Sequence, residues 1–447
     1  MFRVLAALFF GMLAGSVYAQ PTNGEQTKDA GREAPPPPPS SIARTLYEAQ
    51  KDSLVQIRVL LSGAESQSSA GSGFFVTADG LIVTNYHVVS QLVWEPERFR
   101  AEFVRTDNVR GAVSVVAIDV QHDLAVVRVA SAEKKWSVVT LAPDDSLTQG
   151  DRVFSMGNPL DLGFAISEGT YNGRPERSLY PNLLFTGAMN SGVSGGPAID
   201  AQGRVVGVNV AGYGRSAELT NFQVPVKFVR EILAKAQGRT NVTNAMLRAD
   251  MRTQLVGHQN VMLDALHKGE WKTEPLGAYQ IPVIPNTLAR CWGETSEAEK
   301  KNYRFETARC SLNSALYLDR NMRMGTVNTT HEYSTTPLGA MRFSSLRKKS
   351  MANERHIYAS HGKDRTASRC SEDFVRSASH NSRVVVCTRA YRKFEGLYDI
   401  YTLVMSLDAG REGLESSLSL NGVDYERGLT ESRRFIEKIT RTVGTAK

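Results

Sequence analysis

The first half of the chain is patterned as short apolar, β-branched runs separated by Gly, Asp and Asn. Each run predicts a strand, and the runs fall into two sets: 55–61, 73–76, 81–84, 112–118 and 124–129, then 152–155, 183–186, 196–199, 205–210 and 222–224. Short strands at this spacing, with no amphipathic helix between them, are typical of antiparallel sandwiches or barrels. Two such units in succession account for the first half.

A helix is predicted after the second set of strands. The apolar positions of residues 225–236 recur at helical spacing and predict a helix that ends before a domain boundary near residue 238. Residues 245–447 are patterned differently, with a helix predicted over 245–266, mixed short strands, and an amphipathic segment near 429–439. We therefore predict a mainly β first half and a separate α+β domain over the second half.

The first 41 residues carry export and spacer signals. Arg3, the apolar run 4–13 and the small-residue sequence Val17-Tyr18-Ala19 predict a cleaved signal peptide over 1–19, and hence a periplasmic protein. An uncleaved anchor is the alternative. Residues 20–41 are rich in Gly, Glu, Asp and Pro, and predict a solvated spacer rather than a ligand for a proline-binding domain.

Charge separates the two halves of the chain. The 447 residues are 41% apolar, which excludes a largely disordered polymer, and the net charge is +7. Residues 1–240 have a net charge of −1 and residues 241–447 of +8. One stretch of the second half is markedly basic: Arg342, Arg347, Lys348, Lys349, Arg355, Lys363 and Arg365. It indicates either a solvated face or a contact with an anionic envelope surface; nucleic acid is not expected, because no nucleic-acid motif accompanies it.

Four cysteines lie in the second half of the chain, namely Cys291, Cys310, Cys370 and Cys387. In an exported protein they predict two disulfides. Of the three pairings, we favour the two short loops, Cys291 with Cys310 and Cys370 with Cys387. No C-x-x-C pair or neighbouring His suggests a zinc site, and we expect neither metal nor cofactor.

One serine is enclosed by glycines, in Asn190-Ser191-Gly192-Val193-Ser194-Gly195-Gly196-Pro197. Acyl transfer needs an accessible hydroxyl together with N–H groups aimed at the oxygen that becomes negative. Ser194 is therefore the candidate nucleophile, and the N–H groups of Gly192 and Ser194 are the candidate oxyanion donors. A plain Gly-rich turn between strands is the structural alternative.

A serine nucleophile needs a base and an orienting carboxylate. His87 and His122 are the candidate bases of the first half, and we expect His87 at the end of the strand that starts at Leu81. Asp123 and Asp119 are the candidate carboxylates. Each of these residues alone is more often structural, but the order His, Asp, Ser across two β units matches a known enzyme class.

The chain here resembles the trypsin-like serine peptidases, in particular their bacterial HtrA/Deg branch. The matching motifs are Gly71-Ser72-Gly73-Phe74, Thr84-Asn85-Tyr86-His87-Val88-Val89, Asp123-Leu124-Ala125-Val126 and Gly192-Val193-Ser194-Gly195-Gly196-Pro197. The resemblance spans roughly residues 45–238 and implies two six-stranded antiparallel β-barrels with the site in the cleft between them. It implies His87 as general base, Asp123 as its orienting group and Ser194 as nucleophile. His122 is then expected to be a surface residue with no part in the site.

Other families fit less well. The motif around Ser194 also satisfies the G-x-S-x-G elbow of α/β-hydrolases, but an elbow requires a helix directly after the serine, and Pro197 and a β run follow instead.

The chain departs from the trypsin-like pattern at two points. Zymogens that mature by cleavage carry a carboxylate directly before the serine, and this chain has Val193 there, so activation through that carboxylate is not expected. Residues 245–447 lack the Gly-Leu-Gly-type loop of the PDZ domains that commonly follow in the HtrA branch.

The positions that match the family's primary pocket are Ala188, Val210, Ala211 and Gly212. None is acidic, so we expect small or medium apolar side chains before the scissile bond rather than Lys or Arg. Taken together, residues 42–238 predict a secreted serine endopeptidase acting on unfolded or extended proteins and peptides. The alternative is a catalytically silent peptide-binding protein in which the C-terminal domain is the main binding module.

Overall fold

The computed structural model describes the chain from Ser40 onward, with gaps. The described residues are 40–130, 135–176, 178–210, 220–285, 288–296, 304–312, 314–319, 322–336, 339–354, 364–407 and 410–442. The predicted signal peptide and all but the last two residues of the predicted spacer lie outside them. Ser40 caps the first helix, α1 (Ser41–Gln50), by accepting a hydrogen bond from the Ala43 N–H.

Six antiparallel strands close the first barrel. They are β1 (Leu54–Leu61), β2 (Gln67–Phe75), β3 (Leu81–Asn85), β4 (Phe99–Arg105), β5 (Arg110–Asp119) and β6 (Leu124–Val129). Neighbours around the barrel follow the order β1-β2-β3-β6-β5-β4. Helix α2 (Tyr86–Trp94) directly follows β3.

A second ring of six strands follows, with one further short strand beside it. The strands are β7 (Thr140–Leu141), β8 (Arg152–Gly157), β9 (Ala165–Tyr171), β10 (Leu183–Thr186), β11 (Pro197–Ile199), β12 (Arg204–Val210) and β13 (Thr220–Pro225). They pair in the order β11-β8-β9-β10-β13-β12, the β11–β12 pairing closes the ring, and β7 lies parallel to β12. Helix α3 (Val226–Ala236) ends this half. The two predicted six-stranded antiparallel barrels are confirmed.

The second half mixes helices and sheets. Its helices are α4 (Asn244–Lys268), α5 (Ala340–Glu354) and α6 (Tyr425–Glu437). Its strands are β14 (Lys272–Leu276), β15 (Tyr279–Val283), β16 (Ala289–Thr295), β17 (Arg304–Leu312), β18 (Leu316–Asp319), β19 (Met322–Met324), β20 (Thr326–Thr335), β21 (Arg369–Arg376), β22 (Asn381–Ala390), β23 (Tyr398–Ser406), β24 (Glu412–Val423) and β25 (Thr440–Arg441). Seven of them form a sheet in the order β16-β17-β20-β24-β23-β22-β21, and β18 and β19 form a separate hairpin.

Two disulfides attach the edge strands of the seven-stranded sheet. Cys291 on β16 bonds to Cys310 on β17, and Cys370 on β21 bonds to Cys387 on β22. Each pair sits directly opposite across the ladder. These are the two short-range pairings favoured on sequence, and they fix both edges of the sheet to their neighbours.

The second half packs into the core of the first barrel. Leu247, Met251 and Leu255 of α4 lie in the same buried cluster as Val55 and Ile57 of β1. The hairpin β18–β19 contributes four more buried side chains, namely Leu316, Leu318, Met322 and Met324. Ser40–Lys447 thus forms one compact unit. None of the helices within the described ranges is long and apolar enough to cross a bilayer.

Candidate active site

His87 lies in the first turn of helix α2, not on the strand expected from the sequence. Strand β3 ends at Asn85, and helix α2 begins at Tyr86. The cause is Asp123, which takes up the free N–H groups of the new helix: its carbonyl oxygen accepts from the Tyr86 N–H at 3.0 Å and its Oδ1 from the His87 N–H at 2.9 Å. The first turn of this valine-containing helix is thus capped by a residue 36 positions away in the sequence.

The same carboxylate orients the His87 ring. His87 Nδ1 lies 2.6 Å from Asp123 Oδ2. An ionised carboxylate only accepts hydrogen bonds, so Nδ1 carries the proton and Nε2 keeps its lone pair. Burial lowers the pKa of His87, but the charge of Asp123 and its hydrogen bond outweigh burial and raise that pKa above its usual value. The imidazole is thus held ready to accept a second proton at Nε2.

The alternative base and carboxylate pair with each other. His122 Nδ1 lies 2.8 Å from Asp119 Oδ2, and its ring stacks on Phe228 with centroids 3.5 Å apart. The His122 side chain is 9% exposed, so the expectation of an incidental surface residue is wrong. Its ring also meets Tyr180, whose hydroxyl lies 2.6 Å from His258 Nδ1 on α4. Asp119 and His122 thereby belong to a buried polar network between the barrels and the second half.

The loop that carries Ser194 is held against the first barrel by Ser72 of β2. The Ser72 N–H donates to the Ser194 carbonyl oxygen at 2.7 Å, and the Ser72 hydroxyl donates to the Gly192 carbonyl oxygen at 2.6 Å. That hydroxyl accepts in turn from the Asn158 N–H at 2.8 Å. Ser72 therefore fixes the loop at two points, a role that the sequence did not assign to it.

Two glycines permit the close approach of the barrels at this loop. A Cβ on Gly195 would overlap the Ser72 carbonyl oxygen and lie 2.9 Å from the Asn85 nitrogen, which is two residues before His87. A Cβ on Gly71 would overlap Val88 of α2 and lie 3.0 Å from the Ser194 carbonyl oxygen. Helix α2 and the Ser194 loop are thus neighbours. Gly195 also has φ +87°, where other residues are strained.

The N–H groups predicted as oxyanion donors are available. Neither the Gly192 N–H nor the Ser194 N–H donates a hydrogen bond within the described residues. Gly192 has φ +98°, and the Val193 N–H between them donates to Asn190. The Ser194 side chain is buried, and its hydroxyl makes no hydrogen bond to the described residues, His87 included. Nucleophile–base hydrogen bonds commonly form only when substrate binds.

The predicted pocket residues are only partly described. Ala188 follows β10 and is exposed, and Val210 ends β12 and is half-buried. Both β10 and β12 run antiparallel to β13, so their C-terminal ends, which carry Ala188 and Val210, lie at the same end of the sheet. Ala211 and Gly212 lie outside the described residues.

The second half supports helix α2 in ways that the sequence did not indicate. The side chains of Asn244 and Arg248 on α4 donate to the Leu92 and Val93 carbonyl oxygens at 2.9 and 3.3 Å. These carbonyls lie in the last turn of α2, where the helix itself offers no donor. The Leu318 carbonyl oxygen of β18 accepts from the Tyr86 hydroxyl at 2.8 Å and from Trp94 Nε1 at 2.7 Å. The helix that carries His87 is therefore held from both halves.

The basic stretch of the second half is partly engaged within the protein. Arg347 donates to the Ser406 and Leu414 carbonyl oxygens at 2.8 and 2.7 Å. Arg365 Nε lies 3.2 Å from Asp399 Oδ2. Arg355 and Lys363 lie outside the described residues. Across the described ranges, no group of three or more His, Cys, Asp or Glu side chains is placed to hold a metal ion.

Two antiparallel six-stranded barrels, with a histidine–aspartate pair on the first and a glycine-flanked serine loop on the second, define the class of trypsin-like serine peptidase domains. The family model described as a trypsin-like peptidase domain matches residues 71–208. The barrel half of this chain is similar to proteins of the HtrA/Deg branch of these peptidases.

Two relatives illustrate the similarity. The chain is 33% identical over 169 residues to "Probable periplasmic serine endoprotease DegP-like" of Bartonella henselae, covering 36% of this chain and 32% of that protein. It is 27% identical over 243 residues to "Serine protease HTRA1" of Xenopus tropicalis, covering 50% of this chain and 49% of that protein. The chain thus spans about a third to a half of the length of these relatives.

A solved structure of Deg5 aligns with 42% of this chain and 91% of its own, at 26% identity and a TM-score of 0.37.

Proposed function

We propose that this protein is a serine endopeptidase in which Ser194 attacks a peptide carbonyl and His87 and Asp123 transfer the proton. The observation that carries the proposal is the 2.6 Å contact between His87 Nδ1 and Asp123 Oδ2, beside a glycine loop whose Gly192 and Ser194 N–H groups are unengaged in the described structure. This combination supplies a base of defined tautomer together with an anion site.

The mechanism follows from these positions. The Ser194 hydroxyl gives its proton to His87 Nε2 as Oγ bonds to the carbonyl carbon, and the carbonyl oxygen becomes an anion facing the two N–H groups. His87, now protonated and stabilised by Asp123, returns the proton to the leaving amine as the C–N bond breaks. Water then attacks the acyl ester on Ser194 while His87 takes its proton, and His87 returns that proton to Ser194 Oγ as the bond from the acyl carbon to Oγ breaks and the acid product leaves.

The substrates that we propose are extended or unfolded proteins and peptides in the periplasm. The Bartonella relative is named as a probable periplasmic serine endoprotease, and the Xenopus relative as a serine protease. Ala188 and Val210 carry no charge, which favours small or medium apolar side chains before the scissile bond.

A set of aspartate variants tests the roles within the site. Asp123→Asn should lower kcat for an unfolded protein substrate by roughly 10⁴, because the ring of His87 loses its required tautomer and its stabilising charge. Asp119→Asn is the matched control, since it removes the carboxylate of the other His–Asp pair. We expect it to retain most activity. Equal losses in the two variants would contradict the assignment of Asp123.

A catalytically silent peptide-binding protein is the competing function. A collapsed oxyanion loop would occupy the Gly192 and Ser194 N–H groups, whereas both are unengaged within the described residues. Binding of an unfolded protein without any cleavage, equal in the wild type and in Ser194→Ala, would favour this competitor.

We also propose that the second half, with a net charge of +8, contacts an anionic envelope surface. Its test is co-sedimentation of the full chain with anionic vesicles at low and high salt. Binding at low salt that is lost at high salt is expected, and no binding at low salt would contradict it.

A further inference from the structure

The hairpin β18–β19 places an aromatic side chain next to the active-site histidine. The Tyr317 and His87 ring centroids are 6.0 Å apart, and the ring planes are inclined at 78°. Tyr317 lies outside residues 71–208, which match the peptidase family model. The neighbour of His87 is therefore supplied by the second half of this chain.

The hairpin is held firmly in this position. Leu316 and Leu318, on either side of Tyr317, are buried in the core shared with the first barrel. Tyr317 itself is half-buried and packs partly against the same core, which fixes its ring beside His87. The Leu318 carbonyl oxygen accepts hydrogen bonds from Tyr86 and Trp94, which lie at the two ends of helix α2. Tyr317 and His87 are thus fixed to the same helix.

The Tyr317 ring lies beside His87 but leaves the His87 side chain accessible to solvent. The His87 side chain keeps 29% of its surface exposed, and Tyr317 itself is half-buried. A general base must lie within hydrogen-bond reach of the nucleophile and of the leaving amine. A substrate residue next to the scissile bond must therefore pass close to the His87 ring, and the Tyr317 ring centroid lies 6.0 Å from the centroid of that ring.

We propose that Tyr317 is a specificity residue: its ring forms the wall of the subsite beside His87 and restricts the adjoining substrate residue to small side chains such as Gly, Ala or Ser. The inference rests on the endopeptidase function proposed above. The second half of the chain would then determine the substrates of a site whose catalytic groups all belong to the barrels.

Cleavage of a peptide library by the full-length chain tests this subsite. Tyr317→Ala should raise kcat/KM for peptides with a bulky residue at one position next to the scissile bond by tenfold or more relative to the small-residue peptides. Preferences at the other positions should stay as in the wild type. Tyr317→Phe keeps the ring and should keep the wild-type profile. Trp292→Ala, which removes an exposed aromatic ring from edge strand β16, is the control for loss of a surface aromatic.

Several results would overturn the subsite. An unchanged profile in Tyr317→Ala contradicts it, and an equal rise for all peptides identifies the ring as an inhibitory lid instead. If Tyr317→Ala does not fold, Tyr317→Trp replaces it: the larger ring should narrow acceptance toward glycine, and an unchanged profile again overturns the subsite. Labelling by a small fluorophosphonate separates the two proposals, because a wild type that is neither labelled nor active refutes the peptidase function itself.

Discussion

Gln254 of helix α4 links the second half of the chain to the loop that carries Asp123. Gln254 Oε1 accepts from the Val120 N–H at 2.7 Å, and Gln254 Nε2 donates to the Ile118 carbonyl oxygen at 2.8 Å. The amide thus pairs with the backbone as a neighbouring strand would. Asp123 follows three residues after Val120 and has φ +54°, a strained value for a non-glycine residue.

Removing this amide has a calculable cost. Gln254→Ala deletes two hydrogen bonds worth about 1 kcal/mol each, so the free energy of unfolding should fall by about 2 kcal/mol. Gln254 is half-buried, so in the variant water can hydrate the freed Val120 N–H and Ile118 carbonyl oxygen. No further penalty for buried, unpaired polar groups is therefore added to the loss of about 2 kcal/mol. If the whole 2 kcal/mol serves to hold Asp123 in place, kcat/KM falls by at most about thirtyfold.

The assay combines urea unfolding with peptide cleavage by the full chain. Thr253→Ala is the matched control, because Thr253 is exposed and, among the described residues, its hydroxyl donates only to the Ala249 carbonyl oxygen of its own helix. It should change the free energy of unfolding by less than about 0.5 kcal/mol. A Gln254→Ala protein with wild-type stability and wild-type kcat/KM would refute the argument that α4 supports the catalytic loop.

Three further predictions concern stability. Burial lowers the pKa of His258 and of His331 to about 4 from an ordinary 6.5, so the unfolded chain binds more protons between these values. The free energy of unfolding should therefore drop by on the order of 3 kcal/mol per histidine as the pH falls from 7 to 4, and a flat urea-unfolding profile would contradict this. Gly325→Ala should lower the free energy of unfolding by roughly 2 kcal/mol or more in the same assay, because Gly325 has φ +74° and a Cβ there would overlap His258 Nε2. Wild-type stability of this variant would contradict the close packing of His258 on Gly325. A chain truncated after Gly238 should aggregate or unfold at lower urea, since it uncovers the core that α4 shares with the first barrel; a soluble, fully active truncation would refute that dependence.

The barrels were predictable from sequence because their signals are local. Strands β6 and β10 have the bounds expected from their β-branched runs, and helix α3 begins one residue later than expected. Strand β9 was missed, since Ala165–Tyr171 has few buried positions, and β4 was missed although Phe99–Arg105 alternates. The resemblance to a family, rather than any local pattern, selected Asp123 over Asp119.

What the sequence could not indicate depends on distant contacts. His87 lies on a helix because Asp123 accepts the N–H groups of its first turn, and the surrounding residues alone favour a strand. Gln254 and Leu318 reach the site from more than 130 residues away, and no periodicity or motif marks them. The sequence therefore identified the residues that we propose as catalytic, but not the second-half residues that hold them in place.

Covalent labelling at Ser194 tests the central claim most directly. The full-length protein is treated with a fluorophosphonate, which reacts with an activated serine hydroxyl, and the adduct is located by mass spectrometry of its peptides. We predict one adduct per chain, on Ser194, and none on the Ser194→Ala protein. An unlabelled wild type, or equal labelling of wild type and variant, would contradict the serine peptidase mechanism.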